Sequence, residues 1–279
     1  MNFICLDGKI IPDHEPVLFA DNRGFRYGDA LFETMKFINA EIVLGQFHFE
    51  RLFAGLRLLD YILPTHFSES LLKENINELI QRNKCGKIAR VRLTVFRGHG
   101  GLYDENKNVG YLIECWPLTD TVNTLNENGL IIDVFPGAVK SCDQYSNLKS
   151  ASFLIYSLAA QYAKKQKLNE CLVLNTKGNI ADGSITNLFI IKAEKIYTTS
   201  LDEGCIAGVM RKYLIQSLKK SGYMIAESSI TVDDLAAADE VFLTNAIQGI
   251  KWVKEFKGKE YGNMQTKQIY NEFVKTIFR

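Results

Sequence analysis

The chain has 279 residues, 47% of them hydrophobic and 23% charged, with a formal net charge of +1 at pH 7. That length admits two domains with separate cores, and the composition is that of a globular protein. No dense Lys/Arg block and no apolar run of membrane-spanning length occurs, so neither a nucleic-acid nor a membrane partner is expected.

Asp7-Gly8 is a turn between strand-like Phe3 to Leu6 and Ile10-Ile11, which predicts a hairpin. Leu31 to Ile38 and Glu41 to Leu44 predict a second hairpin around Asn39-Ala40. Apolar residues at helical spacing predict a helix over 46–60 (Phe49, Leu52, Phe53, Leu56, Leu59) and another over 68–82 (Leu71, Leu72, Ile76, Leu79, Ile80). Strands follow over 88–96 and 109–116. The polar stretch 117–128 reads as an interdomain connection, leaving domains at 1–116 and 129–279. The second half opens with a strand over 130–135, then an irregular run to Lys149 and a helix over 151–165. Strands over 171–174, 185–191 and 196–199 alternate with turns at Lys177-Gly178-Asn179 and Ala193-Glu194. A helix follows Gly208 to Lys220, with Gly222 as its stop. Strands over 241–244 and 250–255 and a helix over 264–278 complete the chain. Strands and helices mix without regular βαβ alternation, so the expected class is α+β.

The first residues lack the basic and apolar regions of a signal peptide. The six cysteines (Cys5, Cys85, Cys115, Cys142, Cys171, Cys205) form no Cys-x-x-Cys pair and read as reduced thiols, so a cytoplasmic location is expected. His14, His48, His66 and His99 show no metal-ligand spacing, and no metal is expected.

Four local features carry chemistry. Arg51, in His48-Phe49-Glu50-Arg51-Leu52, is either a surface helix arginine or a phosphate ligand, since its guanidinium fork suits a phosphate. Lys149, in Asn147-Leu148-Lys149-Ser150, is either an exposed lysine leading a helix or a cleft lysine able to act as nucleophile and base. Asp182 precedes Gly183, ordinarily a turn pair, or else it is a carboxylate aimed at a ring nitrogen. Gly208-Val209-Met210-Arg211 opens a helix whose first N–H groups can receive an anion.

Their order and spacing carry more than each feature alone. Phe25 to Thr34, His48 to Leu52, Leu148-Lys149, Asp182 to Phe189 and Gly208 to Arg211 together resemble the class IV aminotransferase family, the fold-type IV pyridoxal 5'-phosphate (PLP) enzymes. The likeness spans nearly the whole chain. It implies the D-amino acid aminotransferase-like fold, with a small N-terminal α/β domain and a larger C-terminal one. It also implies PLP as cofactor, a small amino substrate and a homodimer.

By the same resemblance Lys149 is the Schiff-base lysine and Arg51 the phosphate arginine. Gly208, Val209 and Met210 supply amides to that phosphate, and Asp182 stands where the family usually has a glutamate facing the pyridine nitrogen. Asn245 ends a cofactor-side strand. Arg97 is the main candidate for a substrate carboxylate, with Arg92 and Arg26 behind it and Tyr27 and Phe32 as further substrate contacts. Arg97 to Tyr103, Met210 and Glu240 to Ala246 are similar to the 4-amino-4-deoxychorismate lyase branch of the family. The alternative is an aminotransferase for branched-chain or D-amino acids.

Overall fold

A computed structural model describes residues 2–104 and 109–279. It divides into two compact units, Met1–Val122 with Lys149–Phe153, and Asn123–Leu148 with Leu154–Arg279. Both mix helices with largely antiparallel sheet, the α+β class expected from the sequence.

The first unit contains β1 (Phe3–Leu6), β2 (Lys9–Pro12), α1 (Arg23–Tyr27), β3 (Ala30–Ile38), β4 (Glu41–Ile42), α2 (Gly45–Leu58), α3 (Glu69–Arg82), β5 (Ile88–Arg97) and β6 (Val109–Pro117). Among the described residues its strands form one six-stranded sheet, ordered β2-β1-β6-β5-β3-β4. Asp7 and Gly8 both have positive φ, as the tight turn between β1 and β2 requires. Ser68 caps α3 by accepting from Leu71 N. Phe49, Leu52 and Leu56 of α2 and Leu72, Ile76 and Leu79 of α3 are buried, following their helical spacing. Strand β3 is buried on both faces and still carries Glu33 and Lys36.

Lys149–Phe153 group with this unit because they run beside β3. Phe32 N donates to Lys149 O and Ala151 N to Ala30 O, at 2.9 and 2.8 Å. The helix expected from 151 therefore starts at Leu154. Backbone pairing with β3 has claimed Ala151, and Phe153 N turns back onto Ala151 O. α1 was not expected; Asn22 caps it and Gly28 ends it in the left-handed region.

The second unit contains β7 (Leu130–Val134), α4 (Leu154–Lys165), β8 (Glu170–Leu174), β9 (Ile180–Gly183), β10 (Asn187–Lys192), β11 (Lys195–Thr199), α5 (Val209–Lys220), β12 (Ile225–Ser228), α6 (Val232–Ala236), β13 (Glu240–Asn245), β14 (Gly249–Phe256), β15 (Lys259–Glu260), α7 (Met264–Ile269) and α8 (Lys275–Ile277). Among the described residues they make a nine-stranded sheet, β12-β11-β10-β13-β14-β7-β8-β9, with β15 added to β14. Pairings β11/β12, β14/β7 and β7/β8 are parallel. The core on this sheet includes Ile132, Leu172, Leu188, Ile190, Val241, Leu243 and Val253.

Four elements here depart from expectation. Asp182-Gly183 lies inside β9, with Asp182 opposite Val173 of β8, so long-range pairing overrides the local turn preference. β12 and α6 were not anticipated. The terminal helix is interrupted by a π-helical turn, Tyr270–Val274, between α7 and α8.

Leu188 sits at 0% exposure in the centre of this core. Leu188→Ala should lower the unfolding free energy by about 2–5 kcal/mol, through lost burial and a residual cavity. Urea titration at an unchanged m-value is the check.

Candidate active site

In the first unit, chemistry gathers around β3. Glu33 is buried there with no route to water, so its charge must be matched by neighbours. His48 and Arg51 lie three residues apart on one face of α2 and supply the match. His48 Nδ1 is 2.6 Å from Glu33 Oε2, Arg51 Nε donates to Oε1 at 2.8 Å, and Arg51 Nη2 donates to Oε2 at 2.5 Å. Burial alone would raise the Glu33 pKa. The charges of Arg51 and His48 and their hydrogen bonds outweigh it and hold the carboxyl at about 2. An ionised carboxylate only accepts, so His48 Nδ1 carries the hydrogen. Burial keeps the His48 pKa below its ordinary value despite Glu33, helped by the positive charges of Arg51 and Lys149. His48 Nε2 is buried without a hydrogen-bond partner among the described residues.

One residue before Glu33, the Phe32 ring carries two cations. Lys149 Nζ is 4.6 Å from its centroid and the Arg92 guanidinium 4.0 Å. Phe153 meets Phe32 edge-on at 5.4 Å and lies 5.5 Å from Lys149 Nζ. Arg92 makes no hydrogen bond or ion pair among the described residues, and desolvation lowers its pKa.

The other arginines proposed from the sequence are placed differently. Arg97 Nε donates to Asp29 Oδ2 at 3.0 Å, its Nη2 to Leu59 O at 2.6 Å and its Nη1 to Asp60 O at 3.5 Å, while the group stacks on Tyr61. Arg23 shares the same Asp29 oxygen at 3.1 Å. Arg97 thus braces the loop ends of its own unit. Arg26 is on the exposed helix α1, its Nε donating to Ala20 O, and Tyr27 beside it is exposed. The structure brings together Phe32, Arg51, Arg92 and Lys149 around β3, and leaves Arg26, Tyr27 and Arg97 outside that group.

In the second unit Asp182 is the focus. Its side chain is buried on β9 and accepts from Tyr156 OH at 3.0 and 3.1 Å and from Ile206 N at 2.8 Å. Lys140 Nζ stands 3.7 Å from Oδ2. The turn after β9 is pinned by buried Glu170, which accepts from Ser184 N, Ser184 OH, Thr186 OH and its neighbour Cys171 N. Gly208 is the N-cap of α5 and gives it no side-chain cap, so the first N–H groups of Val209 and Met210 keep no side-chain acceptor from that position. A Cβ at Gly208 would lie 1.8 Å from Asn187 Oδ1, so no larger residue fits there. Asn245 Oδ1 is committed to Ile247 N and Gln248 N, shaping the turn after β13.

Sequence reasoning assigned no role to Glu33, His48, Lys140, Tyr156 or Glu170. Glu33 had a usable signal, since a carboxylate inside a largely apolar strand must find a cation. The others become visible only through pairings 14 or more residues apart.

The amino-transferase class IV family matches residues 30–256. An aminodeoxychorismate lyase of Bacillus subtilis is 29% identical over 272 residues, covering 93% of this chain and 88% of its own. A D-alanine aminotransferase of Listeria innocua is 24% identical over 99% of this chain and 96% of its own. Among solved structures, the branched-chain aminotransferase of the thermophilic archaeon Thermoproteus uzoniensis with norvaline superposes with a TM-score of 0.87 at 21% identity, over 99% of this chain and 95% of that one. The chain belongs to the class IV aminotransferases, PLP-dependent enzymes that act on small amino compounds. The residues of each unit fit parts of PLP by their chemistry: in the first a held guanidinium and a lysine amine, in the second a buried carboxylate and a helix start with no side-chain cap behind Gly208.

The Glu33 cluster has a pH signature. Its folded pKa of about 2 lies below the ordinary 4.5, so its stabilisation is present above pH 4.5 and is lost as pH falls through 2. Unfolding free energy measured across pH 2–5 should fall in that window by on the order of 3 kcal/mol more in the wild type than in Glu33→Gln.

Proposed function

We propose that the chain is a PLP-dependent lyase that converts 4-amino-4-deoxychorismate into 4-aminobenzoate and pyruvate, working as a homodimer in the cytoplasm. The observation that carries this reading is the pair of cations on the Phe32 ring, Lys149 and Arg92. One supplies an amine for proton transfer. The other supplies a half-buried guanidinium for a carboxylate, and the buried Phe32 ring fixes where both cations stand. Arg92 takes the carboxylate role first given to Arg97, because the Arg97 donors already serve Asp29, Leu59 and Asp60. The blocks ending in Met210-Arg211 and Asn245-Ala246 and the 29% identity to a lyase support the same choice.

Bound PLP supplies a carbonyl for the substrate amine and a ring that accepts an electron pair. The protein's part is positional and protolytic. Lys149 takes the proton from the carbon bearing the substrate nitrogen. Arg51, held in its rotamer by Glu33, would hold the cofactor phosphate, a role the amides of Val209 and Met210 would also suit. Asp182 would serve as the carboxylate for the pyridine nitrogen. Arg92 orients the substrate through its carboxylate, and loss of pyruvate aromatises the remaining ring, so no second substrate is consumed.

The homodimer reading draws support from one surface of the first unit. Phe19, Phe25, Tyr27, Leu102 and Tyr103 are all exposed there, Tyr103 at 98%. Backbone bonds from Arg23 N to Gly98 O and from Gly100 N to Asp21 O draw their loops together. Several large apolar side chains exposed in one region mark an interface.

Two measurements test these readings. Given aminodeoxychorismate and no keto acid, the enzyme should release equal amounts of 4-aminobenzoate and pyruvate over many turnovers. Arg92→Ala should lower that kcat/KM about 10- to 100-fold, as expected for a lost charged contact, and barely change turnover of an apolar amino acid. Sustained, keto-acid-dependent conversion of leucine, isoleucine or D-alanine with no 4-aminobenzoate would make the chain an aminotransferase instead. Sedimentation at assay concentration should give a dimer, and a fully active monomer would remove the homodimer.

A further inference from the structure

Lys140 is a buried cation to which the reaction outlined above gives no task. It lies between β7 and α4, and its backbone is fixed to the strand beside Asp182. Lys140 N donates to Leu174 O at 2.8 Å, and Thr176 N donates to Lys140 O at 3.0 Å. The residue is 9% exposed, and its Nζ has no hydrogen-bond partner among the described residues. That Nζ stands 3.7 Å from Asp182 Oδ2 and 5.0 Å from the centre of the Tyr156 ring.

This arrangement is unusual for a structural ion pair. An ammonium has three donors, and a buried one that satisfies none forgoes most of what offsets its desolvation. At 3.7 Å the interaction with Asp182 is charge to charge rather than a short hydrogen bond. Asp182 Oδ2 is meanwhile directed by other donors, Ile206 N at 2.8 Å and Tyr156 OH at 3.1 Å. Lys140 therefore contributes field to the carboxylate without orienting it.

We propose that Lys140 is a positioning residue that shares the Asp182 charge with the cofactor's pyridine nitrogen and so limits how strongly Asp182 draws a proton onto that nitrogen. The inference rests on the reading that Asp182 faces the pyridine. A lone buried carboxylate would stabilise a pyridinium with its full charge. A carboxylate already balanced by an ammonium offers only part of it, because a third charge joins a pair that is close to neutral. In the protein without cofactor the same ammonium spares Asp182 from standing buried and uncompensated. Lys140 and the pyridinium thus play one electrostatic role in alternation, and removing the first should make the protein lean harder on the second.

The experiment is thermal unfolding of the full chain with and without saturating PLP, together with PLP titration, in wild type, Lys140→Met and Lys140→Arg. Lys140→Met should melt lower without PLP. Its PLP-induced rise in Tm should exceed that of the wild type by at least about 3 °C, as a difference near 1 kcal/mol gives in a chain this size. Its PLP dissociation constant should fall about fivefold or more. Lys140→Arg, which keeps the charge, should retain the wild-type increment. Putting Lys140→Met into an Asp182→Asn background should abolish the extra increment, because no carboxylate remains to be shared. A merely structural lysine would lower Tm equally with and without PLP, and that equality overturns the proposal. If Lys140→Met does not fold without PLP, Lys140→Gln in the same titration decides, and an unchanged dissociation constant there overturns it as well. A wild type whose Tm does not respond to PLP would instead overturn the cofactor reading on which the proposal stands.

Discussion

A carboxylate removed from water must be matched by positive charge or hydrogen-bond donors, and the arrangement of this protein's chemistry follows from that constraint. Glu33 meets it on β3 with His48 and Arg51. The fixed direction of α2 results, because only one helix rotation places both side chains over the strand. Arg51 is thereby held with part of its guanidinium oriented in advance, which reduces the conformational freedom lost when an anion binds. The same bonds keep α2 seated on the sheet, so stability and readiness to bind share one interaction.

The second unit meets the constraint several times and in different ways. Glu170 collects neutral donors from Cys171, Ser184 and Thr186, and burial raises its pKa against them. Glu203 is matched by Asn175, Asn179 and Lys177, which tie the turn before β9 to the loop before α5; burial opposes ionisation, yet those donors hold its pKa below the ordinary range. Glu240 accepts from Gln265 N, Thr266 N and Thr266 OH, joining the start of α7 to β13. Asp182 differs from these three in having a cation nearby that makes no hydrogen bond to it. Three carboxylates fasten loops, and the fourth is held in a field.

Membership of the class IV aminotransferases sets the cofactor and the general chemistry and leaves the substrate open. Relatives of similar identity carry lyase and aminotransferase names, as expected where catalytic groups are shared and only the substrate contacts differ. Arg92 and Arg97 illustrate how small that difference is. They lie on one strand, and opposite fates follow from what each finds opposite it: an aromatic face for Arg92, and a carboxylate with two carbonyls for Arg97.

The sequence by itself determined the elements whose signals are local. The period-two and helical patterns located β3, α2, α3, β5 and β10, and the ordered blocks around Arg51, Lys149 and Gly208 identified the family. Local signals misled where a distant partner intervened. Asp182-Gly183 has the composition of a turn and became a strand by pairing with β8, and the helix expected from 151 begins at Leu154, with Ala151 bonded to the β3 backbone. Only the tertiary structure decided which charges meet. Glu33 with His48, Asp182 with Tyr156 and Lys140, and Arg97 with Asp29 depend on sheet register and helix rotation. The physical reason is one of range. Side-chain periodicity is written into neighbouring residues, whereas the partner of a buried charge is chosen by whichever element the folded chain brings within a few ångströms.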